Sequence, residues 1–156
     1  MEYREKLEAY LRENRVPFEL QHHARAFTAQ EVAERGHVHG RQMTKVVIVV
    51  AGGSNVMLVL PAPSRVDLKL AAAALRVEDV RLAREDEFER AFPDCELGAM
   101  PPFGNLYGLR VVLDRALTVD ETIYFQAGTH SDTMSLRYAD FELLVRPTVA
   151  EFGRTA

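Results

Sequence analysis

The chain has 156 residues, 47% of them hydrophobic, and this size is typical of one domain with a buried core of its own. A formal net charge of −4 and a pI near 5.7 exclude a protein that coats nucleic acid through a generally basic surface, and leave only a local cationic face for a short piece of RNA. The single cysteine, Cys95, excludes an internal disulfide and a zinc site built from several cysteines.

The sequence carries no sign of a targeting or membrane segment. Its first residues are charged where a signal peptide has an apolar core, and no apolar run approaches the roughly 20 residues of a membrane span. No repeat or low-complexity stretch divides it. We therefore expect a soluble, cytoplasmic protein that folds as a single domain over residues 1–156.

The N-terminal part of the chain predicts two helices with a short strand between them. Residues 2–14 place apolar side chains at helical spacing with Glu and Arg on the other face, which predicts an amphipathic helix. Residues 18–20 alternate as a short strand. Thr28 has the position of an N-cap, with Glu31 three residues later as in a capping box, so a second helix is predicted to end at Gly36.

A β-hairpin is the clearest element of the sequence. Thr44–Ala51 and Asn55–Leu60 are apolar runs, and Gly52-Gly53-Ser54 between them supplies the glycines that a tight turn requires. A purely parallel, doubly wound sheet would not contain this hairpin. The sequence therefore predicts an α/β fold with a curved, mixed, largely antiparallel sheet or barrel, flanked by helices.

The second half of the chain continues as a mixture of helices and strands. Residues 66–75 and 85–92 predict helices, and Pro93 ends the second of them. The remaining apolar segments predict four strands and one more short helix, at residues 80–82, 109–113, 122–127, 136–138 and 140–144 respectively.

Lys45 is the most informative single residue, because it is a lone cation at the start of the apolar run Val46–Val50. An unpaired ammonium loses its hydration inside a sheet, so we expect the amine to point into a cleft where an anion or a polar substrate meets it. The alternative is a surface lysine whose alkyl stem alone is buried. Two loops, residues 98–104 and 127–130, are expected to close the same cleft.

Four motifs in a fixed order carry a resemblance to a known family. They are Lys45 before its apolar strand, Arg65-Val66-Asp67-Leu68-Lys69 at a helix start, the loop Gly98…Pro102-Phe103-Gly104, and Ala127-Gly128-x-His130 followed by Asp140. In these motifs, residues 16–148 resemble the YbaK/prolyl-tRNA-synthetase-associated domain family. The resemblance implies the fold of the editing insertion of bacterial prolyl-tRNA synthetases and a free-standing deacylase that hydrolyses the ester of a mischarged aminoacyl-tRNA.

The resemblance also implies roles for individual residues. Lys45 would be the essential side chain, in contact with either the phosphate of the terminal adenosine or the reacting ester. Backbone groups of the loop that contains Gly98, Pro102 and Gly104 would surround the ester, and Gly128 would act similarly on the facing loop. Such a site needs a positioned water and stabilisation of the carbonyl oxygen, and no strong base.

Other residues are candidates for the same site. His130 is a candidate for proton transfer, because an unperturbed imidazole titrates near neutral pH, or it forms only a hydrogen-bonding wall. Met100 and Phe103 are expected to contact the substrate, unless the Pro-Pro-Phe-Gly segment is a rigid turn with Phe103 in the core. Further substrate contacts are expected from Thr28 and from four cations that are candidates for tRNA phosphates, Arg25, Arg41, Arg65 and Lys69.

Two other classes of function stay open. A non-catalytic module would bind an aminoacyl-tRNA or a nucleotide without cleaving it. A metal-dependent hydrolase would use the histidine pairs, but the sequence identifies no further ligand for His22-His23 or His37-x-His39. Cys95 lies between Asp94 and Glu96, whose charges raise the pKa of a thiol, so we do not expect a thiol nucleophile. We expect no cofactor and no metal.

The expected partner is the acceptor end of an aminoacyl-tRNA, with a loose association with a tRNA synthetase, and neither DNA nor a membrane. The amino acid removed is expected to be small, such as Ala, Cys or Ser. Editing pockets separate such amino acids by only about 1–3 kcal/mol per methyl group, and the sequence does not size the pocket.

Overall fold

A computed structural model describes residues 3–22 and 43–155 of the chain. These ranges contain four α-helices, α1 (Tyr3–Glu13), α2 (Leu68–Leu75), α3 (Glu85–Phe88) and α4 (Tyr138–Val145). They also contain ten strands, β1 (Glu19–His22), β2 (Thr44–Ala51), β3 (Ser54–Pro61), β4 (Ser64–Val66), β5 (Val80–Leu82), β6 (Arg110–Asp114), β7 (Thr122–Gln126), β8 (Asp132–Arg137), β9 (Thr148–Ala150) and β10 (Gly153–Thr155). Short 3-10 helices lie at Glu89–Ala91, Gly104–Tyr107 and Arg115–Val119.

The described strands form three sheets. The largest has the order β5-β2-β3-β6-β9, with antiparallel pairing from β5 to β3 and parallel pairing from β3 to β9. The second has the antiparallel order β1-β8-β7, and β4 pairs with β10 as an antiparallel ribbon. The predicted mixed, largely antiparallel α/β fold is confirmed. In the described ranges these sheets are open, so the barrel alternative is wrong.

The predicted hairpin is confirmed, with a turn one residue shorter than predicted because Ser54 belongs to β3. β2 and β3 pair from Ala51↔Ser54 to Thr44↔Pro61, and the turn between them consists of Gly52 and Gly53. Both glycines have positive φ, 57° and 81°, which is the conformation that a two-residue hairpin turn demands and that glycine adopts without strain.

The hairpin separates two hydrophobic clusters, because successive residues of a strand face opposite sides of a sheet. On one side, Ile48 and Met57 pack in a cluster that includes the second sheet, α1 and α4. On the other side, Val49 and Leu58 pack in a cluster that includes Ala71 of α2. Burial on both faces explains why β2 and β3 are nearly continuous apolar runs.

Several element boundaries differ from the sequence prediction. Val66 belongs to strand β4 and not to a helix, because the Asp67 side chain caps α2 by accepting hydrogen bonds from the N–H groups of Lys69 and Leu70. The helix predicted over 85–92 ends at Phe88 and continues as a 3-10 turn. Tyr138 starts α4, whereas a strand was predicted to include it. The three-residue strands β9 and β10 were not predicted.

The predicted helix that starts at Thr28 lies outside the described residues. No described helix is long and apolar enough to cross a membrane.

Candidate active site

The start of β2 is fastened to the C-terminal half of β7. Met43 forms a parallel bridge with Tyr124, and Thr44 Oγ1 donates a hydrogen bond to the Tyr124 carbonyl at 2.9 Å. Next to this contact lies a cleft of about 190 Å³, lined by Thr44, Lys45, Val46, Gly98, Met100, Phe125 and Gln126. The cleft thus joins the lysine of the first motif to the glycine loop of the third.

Lys45 lies half-buried in this cleft. Burial lowers the pKa of Lys45, and the positive charge of Arg65 lowers it further. No carboxylate in residues 3–22 or 43–155 forms an ion pair with it. The structure therefore places at a cleft an ammonium with no counter-ion among the described residues, where an anion or a polarised carbonyl oxygen would stabilise it. Its role in the reaction stays a prediction.

The two loops predicted to close the cleft lie together, but residues 127–130 do not line the cleft and only support the Gly98 loop. Glu96 N–H donates to the Gly128 carbonyl at 2.8 Å, and Gly128 N–H donates to the Ala99 carbonyl at 2.9 Å. Gly98 has a φ of +82° and Gly128 a φ of +91°, both in the region that favours glycine. These main-chain bonds hold the Gly98 loop against the end of β7.

His130 supports the Gly98 loop through contacts with the two residues that precede Gly98. Its ring lies 4% exposed, with Nε2 2.7 Å from the Leu97 carbonyl oxygen, and its N–H donates to a Glu96 carboxylate oxygen at 2.9 Å. A carbonyl only accepts, so Nε2 carries the proton in this contact. His130 does not line the cleft, and a contribution to proton transfer stays a prediction.

The Gly98 loop carries two main-chain N–H groups that have no acceptor among the described residues. Ala99 N–H donates to the Glu96 carbonyl at 3.0 Å, but the N–H groups of Gly98 and Met100 donate to no acceptor within the described ranges. Gly98 and Met100 both line the cleft. Amide donors held by a rigid loop are suited to stabilise an oxygen that gains negative charge.

The rest of the predicted loop lies in the core. Phe103 is fully buried and packs against Phe125 and Phe141 at ring-centroid distances of 5.6 and 5.4 Å. The prediction that Phe103 contacts the substrate is therefore wrong, because its ring packs in the core that supports the loop. Pro102 and Gly104 are also buried, and a Cβ on Gly104 would lie 2.8 Å from Val111 Cγ2. Gly104 is needed for close packing.

The predicted cations divide into three groups. Arg65 is exposed on β4 and lies near enough to Lys45 to lower the pKa of that amine. Lys69 is exposed in the first turn of α2, and its side chain does not line the cleft. Arg25 and Arg41 lie outside the described residues, as does Thr28.

The described residues offer neither a metal centre nor a reactive thiol. Among them, no three His, Cys, Asp or Glu side chains come together as ligands. His22 Nδ1 instead lies 2.9 Å from Asp132 Oδ1, and His23, His37 and His39 fall outside the described ranges. Burial, with the charge of Asp94, raises the pKa of Cys95 to about 12, so its thiolate is scarce at neutral pH.

Asp132 ties the loop that carries His130 to the N-terminal elements. Its buried carboxylate accepts hydrogen bonds from Thr129 Oγ1 at 2.5 Å and Arg4 Nη1 at 3.2 Å, besides the contact with His22. Burial raises the pKa of Asp132, but the hydrogen bonds from Thr129 and His22 and the charge of Arg4 outweigh burial and lower it overall.

We expect Asp132→Asn to lower the free energy of unfolding by about 1–3 kcal/mol at pH 7, because it leaves the Arg4 charge without its counter-ion. A carboxyl whose pKa is lowered on folding stabilises the protein above its unfolded pKa of about 3.9, and this stabilisation is lost as the pH falls through the folded pKa. Urea unfolding at pH 7 and pH 3 measures both effects. The electrostatic explanation would be contradicted if the free energies of unfolding of the unmodified protein and Asp132→Asn differed as much at pH 3 as at pH 7.

Two polar residues of this region were not predicted from the sequence. Gln126 lies at the end of an apolar strand and lines the cleft, and Glu96 holds the His130 N–H. A polar residue that ends an apolar strand directly before a glycine loop was the available signal for Gln126.

Comparison with known proteins assigns the chain to a family. The family model of the aminoacyl-tRNA editing domain matches residues 23–144. The multifunctional Ser/Thr-tRNA deacylase ProXp-y of Escherichia coli (strain K12) is 29% identical over 158 residues, which cover 97% of this chain and 93% of that protein. The proline–tRNA ligase of Acidithiobacillus ferrooxidans (strain ATCC 53993 / BNL-5-31) is 36% identical over 93 residues, or 59% of this chain and 16% of the ligase.

Solved structures share the fold. A candidate trans-editing enzyme for prolyl-tRNA synthetase aligns with a TM-score of 0.83 at 19% identity and covers 97% of both chains. The hypothetical protein APE2540 aligns with a TM-score of 0.83 at 19% identity, over 96% of this chain and 99% of that one. The resemblance inferred from the four motifs is confirmed. Because the family model spans most of the sequence, this chain belongs to the aminoacyl-tRNA editing domain family.

Proposed function

We propose that this protein hydrolyses the ester of a mischarged aminoacyl-tRNA, with the aminoacyl group held in the cleft between β2, β7 and the Gly98 loop. The observation that carries the proposal is the Lys45 ammonium, which has no counter-ion among the described residues and faces a loop with two available amide donors. Positive charge and fixed donors around one small cleft are what a reacting ester carbonyl needs.

The reaction is a transfer of the aminoacyl group to water. Water attacks the ester carbonyl carbon, the carbonyl oxygen gains negative charge, and the carbon–oxygen bond to the ribose then breaks. The attacking water gives up one proton and the ribose oxygen takes one, so the products are a free amino acid and a tRNA with a free ribose hydroxyl. Lys45 and the N–H groups of Gly98 and Met100 would stabilise the negative oxygen, and the cleft would position the ester.

The described lining of the cleft favours attack by water over attack by a side chain, because the Thr44 hydroxyl already donates its proton to the Tyr124 carbonyl. No Asp, Glu, His or Cys is among the described residues that line it. An aminoacyl ester is already activated, so stabilisation of the developing charge and a positioned water are sufficient chemistry. This supports direct attack by water.

The size of the cleft favours a small amino acid. A volume of about 190 Å³ corresponds to about six water molecules at ~30 Å³ each, and a seryl group has about as many non-hydrogen atoms. The E. coli relative, 29% identical, is named as a deacylase of Ser- and Thr-tRNA. We propose a seryl or threonyl group as the preferred substrate, ahead of alanine and cysteine.

The partner is the acceptor end of a tRNA, bound near Arg65. The likeness to part of a proline–tRNA ligase also supports an association with a tRNA synthetase, in which the protein acts on the synthetase's mischarged product.

A panel of aminoacyl-tRNAs tests the proposed function. The pure protein is mixed with seryl-, threonyl-, alanyl- and cysteinyl-tRNA, and loss of the ester is followed with and without EDTA. We expect fast loss of the ester from seryl-tRNA, threonyl-tRNA or both, at a rate that EDTA does not change. Binding without ester loss would support a non-catalytic module, and loss of activity in EDTA would support a metal-dependent hydrolase.

A second prediction concerns salt. A protein of net charge −4 that touches few phosphates should lose tRNA affinity only gradually with rising salt, because the slope counts the counterions released. Arg65→Ala should reduce the slope of log K against log salt by about 1. Arg137→Ala is the matched control, since Arg137 lies opposite Thr122 at the far end of β7. A slope typical of about 6–10 phosphate contacts would reveal an extended RNA-binding face.

A further inference from the structure

The side-chain carbonyl of Gln126 is a buried hydrogen-bond acceptor. Gln126 is 6% exposed, its Oε1 is shielded from solvent, and no donor in the described residues bonds to this oxygen. An unsatisfied buried acceptor costs about 1–3 kcal/mol, and native proteins contain few of them. Such an atom points to a donor that the described residues do not supply.

Gln126 lines the cleft in which we propose that the substrate binds, so the substrate could supply the missing hydrogen-bond donor. It ends β7, pairs with Thr133 of β8, and lines the same cleft as Lys45 and Gly98. The strand pairing fixes its backbone, and the following loop from Ala127 is held by the Gly98 segment. The acceptor is therefore presented from a rigid element, which favours selective recognition.

We propose that Gln126 Oε1 accepts a hydrogen bond from the side-chain hydroxyl of a seryl or threonyl group, and thereby selects hydroxyl amino acids. This inference rests on the proposed deacylase function and adds the residue that distinguishes among its substrates.

The electrostatics of the cleft favour a hydroxyl over the α-ammonium as the donor. Lys45 lines the cleft and Arg65 lies close to it, so a further cation between them is disfavoured, whereas a neutral hydroxyl is not. An alanyl group has no side-chain donor and would leave Oε1 unpaired. Sites that hydrogen-bond a substrate hydroxyl reject the analogue that lacks it far more strongly than apolar pockets reject a missing methyl group.

A substrate series tests this on the unmodified protein. We compare kcat/KM for tRNA charged with serine, threonine, O-methylserine and alanine. Threonine and O-methylserine have equal numbers of non-hydrogen atoms, but only threonine keeps the donor. We expect O-methylserine and alanine to be at least about 10-fold slower than serine and threonine. Equal rates for threonine and O-methylserine would overturn the inference.

A variant provides the complementary test. Gln126→Met keeps the length of the side chain and removes the acceptor, so kcat/KM should fall more for seryl-tRNA than for alanyl-tRNA, and the ratio of the two should fall about 10-fold. Gln21→Met, on exposed strand β1, is the matched control and should leave the ratio unchanged. An equal loss for both substrates would assign Gln126 to a shared part of the substrate and overturn the inference. Failure of the unmodified protein to cleave any aminoacyl-tRNA would instead contradict the proposed function.

Discussion

Lys45→Ala is expected to lower kcat/KM for aminoacyl-tRNA deacylation by about 100- to 1,000-fold, the usual loss when one group that stabilises an oxyanion is removed. Lys45→Arg should fail as well, because the wide guanidinium fork does not fit the place of a compact ammonium in a cleft of about 190 Å³. Ester loss from seryl-tRNA under single-turnover conditions measures both effects.

We expect these variants to lose activity without losing stability. The lowered pKa of Lys45 means that the folded protein holds the charged amine less favourably than the unfolded chain does, so removing the charge carries no electrostatic penalty. We expect Lys45→Ala to keep the Tm of the unmodified protein. Lys6→Ala, at an exposed lysine over the Tyr107 ring, is the matched control and should keep full activity. Normal turnover by folded Lys45→Ala would remove Lys45 from the reaction.

Gly98→Val is expected to reduce deacylation by about 100-fold, with the fold kept. Gly98 has a φ of +82°, which a β-branched residue adopts only with strain, and a Cβ there would touch the His130 ring at 3.5 Å. The loop would shift, and a displacement of about 1 Å at a reacting centre is enough to lose a factor of about 100 in rate. Steady-state kinetics with thermal unfolding measures rate and stability together.

The chain offers a matched control for backbone strain. Gly53 has a φ of +81° with no atom within 4 Å of its Cβ position, and it lies in the hairpin turn away from the cleft. Gly53→Val should therefore cost similar stability and leave the rate unchanged. If both valine variants lose the same activity, strain alone is responsible and the loop has no special part. Met100→Leu, which conserves volume, should be tolerated.

Gly104 cannot serve in this test, although the sequence places it in the same motif. A side chain at Gly104 would collide with Val111 and with the Leu109 carbonyl, so Gly104→Val should unfold the protein regardless of its chemistry.

The sequence predicts those features that depend on local signals. The hairpin of β2 and β3 follows from two apolar runs and a glycine turn, and the cleft position of Lys45 follows from a lone cation at the start of a buried strand. The resemblance of the motifs adds the family. Three-residue strands such as β9 carry too little periodicity to be recognised, since each is held in place by pairing with a distant strand.

The composition of the site is less predictable, because it depends on which side of a loop faces the cleft. Phe103 and Gly104 share a motif with Gly98, yet they pack into the core while Gly98 faces the cleft. Gln126 is the opposite case, because the sequence did not predict it and yet it lines the cleft. It is distant in sequence from Lys45, and only the contact between β2 and β7 brings the two residues to one cleft.

The central claim is that the aminoacyl end of the tRNA occupies the cleft of Lys45, Gly98 and Gln126. The most direct measurement is an NMR titration with adenosine that carries serine at its 3′ position through an amide, which is not hydrolysed as the ester would be. We expect the largest chemical-shift changes at residues 44–46, 98–100 and 125–126, which line the cleft, and their loss in Lys45→Ala. Changes confined to the neighbouring groove of Phe88, Phe92 and Cys95, with the cleft unaffected, would contradict the account.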